Sequence, residues 1–144
     1  MRRRTLVAGA LLCGVAGCGS SQFDLVPVSG VVTLDGEPLA GGVINFQPNA
    51  PAGQTTGGPG SSSHTDDEGR FEMETIQGEP GAVVGTHKVR IYSFSPETPI
   101  ASDSDAGPSK ERVPHRYNYR SELTFEVPVG GTDAADFKLT TAEE

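Results

Sequence analysis

Three histidines, His64, His87 and His115, are the side chains in this sequence most suited to holding a metal or moving a proton, and their spacing speaks against both uses. They lie more than twenty residues apart, with no His-x-His or His-x-x-x-His pair to present two imidazoles on one face. Asp66, Asp67 and Glu68 bring three carboxylates together ahead of Gly69, but the alternating oxygen spacing and distal glutamate of a calcium loop are missing, so a turn explains them. Ser61, Ser62 and Ser63 sit in a polar stretch without a nucleophile elbow, and the glycine-rich run beside them lacks the lysine of a phosphate-cradling loop. Tyr117 is expected to pack at a corner of the fold with its hydroxyl bonded to backbone. The expectation is a protein that is not an enzyme and has no metal site and no cofactor.

Chemistry of another kind is written at the N-terminus. Arg2, Arg3 and Arg4 precede a twelve-residue apolar run, "LVAGALLCGVAG". That is shorter than the roughly 20 residues a helix needs to cross a bilayer, and it has the length of the apolar region of a signal peptide. The run ends in Val15, Ala16, Gly17 and Cys18, which resembles the lipobox of bacterial lipoproteins. Small residues are needed there because the signal peptidase must seat the chain just before the cysteine. Cys13 is no rival, since Leu12 occupies the place of a small residue.

The resemblance implies diacylglycerol on the Cys18 thiol, removal of residues 1–17 with Cys13 among them, and usually acylation of the new amino terminus, which leaves no disulfide. Each buried CH₂ of such an anchor contributes about 0.8 kcal/mol, so two or three chains hold it where one would not. Arg3 and Arg4 before Thr5, Leu6 and Val7 loosely resemble a twin-arginine export signal, although the general secretory route is the expectation. Gly19 is not the aspartate that retains lipoproteins in some inner membranes, so both the periplasmic face and the outer membrane or cell surface stay open.

Of the 11 basic residues three are these arginines, leaving eight against 19 acidic ones. Such a body repels nucleic acid, which binds through clustered Lys and Arg. With 144 residues, 19 glycines, 11 prolines and no tryptophan, one small, turn-rich domain is expected.

The elements follow from period-two patterning. After a tether over 18–27, the domain spans 28–141. Val28, Gly30, Val32 and Leu34 share one face of a first strand, "DGEP" turns, and Ile44 and Phe46 face inward on a second. Residues 49–63 carry no large apolar side chain and read as a loop. A hairpin follows, with Asp67, Glu68 and Gly69 at its turn and Phe71 and Met73 inside; Val89 and Ile91 mark the next strand. A second loop covers 95–112, and Leu123, Phe125, Val127, Phe137 and Leu139 face inward on the last two strands. About seven short strands without helical periodicity argue for an antiparallel β-sandwich.

"VSGVVTLDGEPLAGGVINFQP", "TDDEGRFEMETI" and "GTHKVRI" resemble the carboxypeptidase regulatory-like, transthyretin-like domain. Gly30, Asp35, Gly36, Pro38, Leu39, Gly41, Thr65, Asp66, Gly69 and Phe71 carry the likeness, and "VPHRYNYRSELTFEVPVGGTDAADFKL" is similar to the closing strands of small envelope lipoproteins built on that domain alone. The resemblance implies a Greek-key, transthyretin/prealbumin-like sandwich and no chemistry. Tyr119, Arg120 and Ser121 are similar to the end of the transthyretin-like hydroxyisourate hydrolases, but the glycine of that motif is absent and the triplet lies far from the C-terminus. The expected function is a noncatalytic, lipid-anchored envelope lipoprotein, held to the membrane through Cys18 and acting as a structural or protein-interaction module, with no nucleic-acid partner. The alternative is a ligand- or carbohydrate-binding lipoprotein using loops 49–63 and 95–112 as a rim, where Glu97, Asp103 and Asp105 would favour a cation or basic partner.

Overall fold

The computed structural model describes residues 23–94 and 110–142. Cys13, Cys18, Glu97, Asp103 and Asp105 lie outside the described residues. The described residues are all-β apart from one 3-10 turn, in sheets whose strand pairings are antiparallel except that of the last strand, and these do not close into a barrel.

The first departure from expectation comes at once. Leu25–Val26, placed in the tether by sequence, forms strand β1, paired with Ala82–Val83. Two apolar residues beside an unpaired backbone segment are enough to make the ladder. β2 (Ser29–Leu34) follows, with Val28 and Val32 buried on the face that period two assigns. Asp35 and Gly36 both take positive φ, 51° and 85°, the requirement of a two-residue type I′ hairpin turn. β3 (Glu37–Pro38) then returns along β2. Pro38 does enter the ladder, opposite Thr33, because Leu39 supplies the next hydrogen bond to the Val32 carbonyl and no N–H is required of the proline.

β4 (Val43–Pro48) buries Ile44 and Phe46. β5 (Ser61–His64) pairs with it, although its serines fall in the expected loop; the loop proper ends at Gly60. Low strand propensity is overridden there by the open edge of β4, whose backbone groups need partners. The hairpin at Asp66–Gly69 is present, and its second arm changes partner: β6 (Arg70–Glu72) pairs with β2, whereas β7 (Glu74–Thr75) pairs with β5. Phe71 and Met73 are buried as expected. β8 (Ala82–Val83) completes the ladder with β1, and β9 (Gly85–Tyr92) runs antiparallel to β4 over six residue pairs.

β10 (Thr124–Val127) lies on the outer side of β9, with Val127 buried and Phe125 only partly so. β11 (Phe137–Leu139) corrects the wholly antiparallel expectation, since it runs parallel to β2. The reason is the turn at 128–131, which carries the chain from the foot of β10 to the foot of β2, so that the next segment climbs in the same direction as β2. The count of about seven strands is exceeded because several ladders are only two or three residues long. One larger sheet has the order β10-β9-β4-β5-β7 and the other is β11-β2-β3, with β6 also on β2, while β1 and β8 form a separate two-stranded ladder. Their side chains meet in one core, where the Phe46 ring lies edge-on to Phe137 at 6.1 Å.

Gly30 is the tightest point in this arrangement. A Cβ there would lie 2.1 Å from the Ala135 carbonyl oxygen. Gly30→Ala should therefore cost at least about 2 kcal/mol, because the opposing atom is backbone and cannot swing aside. Urea unfolding of the variant beside the parent checks this, and an unchanged midpoint would refute the close approach.

Candidate functional site

The strand directions divide the molecule into two ends. At the near end lie Phe23, where the described chain begins, the loop after Pro48, the turn after Thr75 and the turn at 128–131. At the far end lie the Asp35–Gly36 turn, the Asp66–Gly69 turn, the end of β9 and the segment from Lys110 to Ser121. The loop after Pro48 therefore starts from one end of the β4–β9 pair and the segment after Phe94 from the other. The described anchor points of the two expected loops, Pro48 and Phe94, are thus set apart by roughly the length of β9, about 23 Å over its seven residue steps.

The near end holds a cleft of about 570 Å³ lined by Phe23, Asp24, Asn49, Gln54, Thr86 and Glu126 among others. Thr86 donates its hydroxyl to the Glu126 carboxylate, so part of the polar lining is already satisfied internally. A hollow of about 440 Å³ over β2 and β6 mixes His64 and Arg70 with Asp66, Glu72 and Asp133.

The far end is built with more care. Glu111 Oε1 accepts from the Ser93 N–H at 2.9 Å and the Val113 N–H at 2.8 Å, while Arg112 N–H donates to Ser93 Oγ at 2.9 Å. These bonds staple the end of β9 to the returning chain. A short 3-10 turn, His115–Tyr117, follows. Behind it Asn118 is fully buried, its Nδ2 donating to the Val113 carbonyl at 3.1 Å and its Oδ1 accepting from the Tyr119 N–H at 2.7 Å. One amide thus ties together the two arms that carry Arg112 and Tyr119.

Tyr119 is 66% exposed, yet its ring is held by edge-to-face contacts with Tyr92 and His115, each at 5.5 Å. Burial pushes the Tyr92 phenol above its ordinary pKa; Arg90 pulls it back, and Tyr119 and Glu111 push it up again. Tyr92 is therefore a neutral hydroxyl at neutral pH. Tyr117 is held by the Arg116 guanidinium over its ring, 4.8 Å from the centroid, and among the described residues no backbone carbonyl takes its hydroxyl, contrary to the expected corner bond.

The sequence candidates separate. His64 and His115 are exposed at different positions and His87 is wholly buried, so the three do not converge. Among the described residues no group of three or more His, Cys, Asp or Glu side chains is placed to hold a metal ion. Asp66 Oδ1 accepts from the N–H groups of Glu68 and Arg70 at 3.0 and 2.8 Å, which makes it a turn former. Ser121 donates to the Val89 carbonyl and Ser61 to the Gly81 carbonyl, both buried. Tyr92, Glu111, Arg112 and Asn118 were not singled out by sequence reasoning. The signal available was the run 110–120, with four Lys or Arg against one Glu in an acidic chain and two tyrosines among them.

The chain was compared with family models, curated proteins and solved structures, and none of them matches it. Among the described residues no helix is long and apolar enough to cross a membrane.

Two outcomes test these assignments. Asn118→Ala strands a buried carbonyl and a backbone N–H and should cost about 2 kcal/mol in thermal or urea unfolding, with a loss below about 0.5 kcal/mol contradicting its tying role. His87 Nε2 donates to the Val83 carbonyl at 2.7 Å and its Nδ1 is buried without a partner, which fixes a neutral ring. Burial lowers its pKa, opposed only in part by the Val83 bond and the Glu126 carboxylate. The unfolded chain takes up this proton near pH 6.5 and the folded chain only below that, so stability is full above about pH 6.5. It falls as pH drops further, by at most about 1.4 kcal/mol per unit. His87→Leu should flatten that fall just below about pH 6.5; an unchanged slope would show that the imidazole is not the group responsible.

Proposed function

We propose that this protein is a noncatalytic, lipid-anchored lipoprotein of the bacterial cell envelope. Its Greek-key, transthyretin-like β-sandwich serves as an interaction module at the periplasmic face or the cell surface. Residues 1–17 are the signal peptide and Cys18 carries the lipid, as the Val15-Ala16-Gly17-Cys18 motif implies. The tether is shorter than the sequence pattern implied, because Phe23 lines the near-end cleft and Leu25–Val26 is paired in β1.

The observation that carries the reading is the separation of the two ends. Five peptide steps link Cys18 to Phe23, which fully extended reach about 18 Å. A lipid on Cys18 therefore keeps the near end close to the membrane. The segment stapled by Glu111 and Asn118, with its exposed Tyr119, is left on the side facing away. Rigidly supported, exposed aromatic and basic side chains at the free end of an anchored domain suit recognition of a partner.

Intact-mass measurement of the protein extracted from membranes tests the anchor. The expected mass begins at Cys18 and includes diacylglycerol and acyl groups, and Cys18→Ala should accumulate as the uncleaved chain from Met1. A mature protein without lipid would overturn the reading.

A further inference from the structure

We infer that the far end binds an acidic carbohydrate, a glycan containing uronate units, with Tyr119 as the platform and the cations of the 110–120 segment as the carboxylate partners. This deepens the proposed interaction role and rests on it in one respect, namely that the anchor turns this end away from the home membrane.

The first support is charge. Over the whole chain 19 acidic residues face 11 basic ones, yet residues 110–120 carry Lys110, Arg112, Arg116 and Arg120 against Glu111 alone. Glu111 spends one oxygen on the backbone staple. Arg116 is also committed, since it donates to the Thr140 and Ala142 carbonyls. Lys110, Arg112 and Arg120 remain exposed, and among the described residues no carboxylate pairs with them. A guanidinium presents a planar fork that matches a carboxylate with two parallel hydrogen bonds.

The second support is the ring. Tyr119 is two-thirds exposed but fixed from two sides by Tyr92 and His115. An aromatic side chain held in solvent offers rigid, amphipathic contact area at little cost in conformational entropy, and an aromatic face suits the C–H face of a pyranose. Its backbone N–H is bound by the buried Asn118 amide, and Arg120 N–H donates to the His115 carbonyl at 2.8 Å, so ring and adjacent cation are carried on a preset backbone.

An exposed ring and unpaired cations on the same segment select for a ligand with both a flat apolar face and a negative charge. An acidic peptide has the charge without the face. A long nucleic acid has both, but its phosphates would run over the strongly acidic remainder of the molecule, where Asp35, Glu37, Asp67 and Glu68 flank the same end. A short uronate segment carries few charges and needs to cover only the 110–120 segment, where Lys110, Arg112 and Arg120 outnumber Glu111.

Calorimetric titration of the detergent-solubilised full chain with trigalacturonate tests this, beside a neutral galactose trisaccharide, a polyglutamate peptide and a single-stranded oligonucleotide. The expected result is saturable binding of trigalacturonate, at least about tenfold weaker for the neutral sugar, and weakening as salt rises. Tyr119→Ala and Arg120→Ala should each lower the affinity by about tenfold while the protein still unfolds in one cooperative transition above the titration temperature, Tyr119→Phe should retain most of the affinity, and Val129→Ser at the near end should change nothing. Absence of binding, equal affinity for polyglutamate or oligonucleotide, or full affinity in Tyr119→Ala would overturn the inference. Because the titration is done in detergent, its outcome is independent of lipidation, and a lipidated protein that ignores the sugar would sink this inference alone.

Discussion

Gly30 has no side chain, and the rest of the architecture is organised around that gap. The Ala135 carbonyl occupies the space a Cβ would take, which lets the C-terminal segment lie against β2 along its whole length. Around this contact the backbone groups are accounted for one by one. Ser29 exchanges hydrogen bonds with Thr132 and Ala135, and the Asp136 carboxylate accepts from the Val31 N–H at 3.0 Å where the ladder is interrupted. Because the first long strand is clasped by the last, the N-terminal chain and the C-terminal tail leave the molecule at opposite ends. The tail is fastened in turn by Asp35, which accepts from the Thr141 N–H and hydroxyl at 2.8 and 2.7 Å. Those bonds hold the Asp35 carboxyl below its ordinary pKa.

The same topology sorts chemistry by position. Both ends carry carboxylates, Asp24, Glu79 and Glu126 at the near end and Asp35, Glu37, Asp67 and Glu68 at the far end. The arginines collect towards the far end, and one of them, Arg116, joins the 110–120 segment to the C-terminal tail through its bonds to Thr140 and Ala142. The far end is thus braced twice, by Asn118 within the segment and by Arg116 across to the tail. Exposed side chains on such a base lose little freedom on meeting a partner, which is the physical content of a preorganised surface.

Much of the fold was legible in the sequence where a period of two meets large apolar residues: Ile44 with Phe46, Phe71 with Met73, Val89 with Ile91, and Phe137 with Leu139 all face the core. The Asp35–Gly36 and Asp66–Gly69 turns were legible for the same local reason, that few residues other than Gly, Asn and Asp take up those backbone shapes readily. What stayed hidden depends on partners distant in sequence. Nothing within Ser61–His64 says strand, since the open edge of β4 decides it. Nothing near Phe137 gives the direction of β11, which follows from the sheet crossing at 128–131. Asn118 was unreadable because a lone asparagine becomes a buried tie only when Val113 and Tyr119 fold over it. The basic and aromatic run at 110–120 was visible, but net charge averaged over the chain concealed it.

The account turns on one end of the domain being held at the membrane and the other held away. The most direct measurement is fluorescence quenching in vesicles that carry the lipidated protein and a nitroxide-labelled headgroup lipid. A fluorophore is attached at Val129→Cys on the near-end turn or at Glu122→Cys at the far end, both exposed positions. Strong quenching at 129 with little at 122 is the predicted result. Equal quenching at the two sites, or the reverse order, would contradict the assignment of the ends.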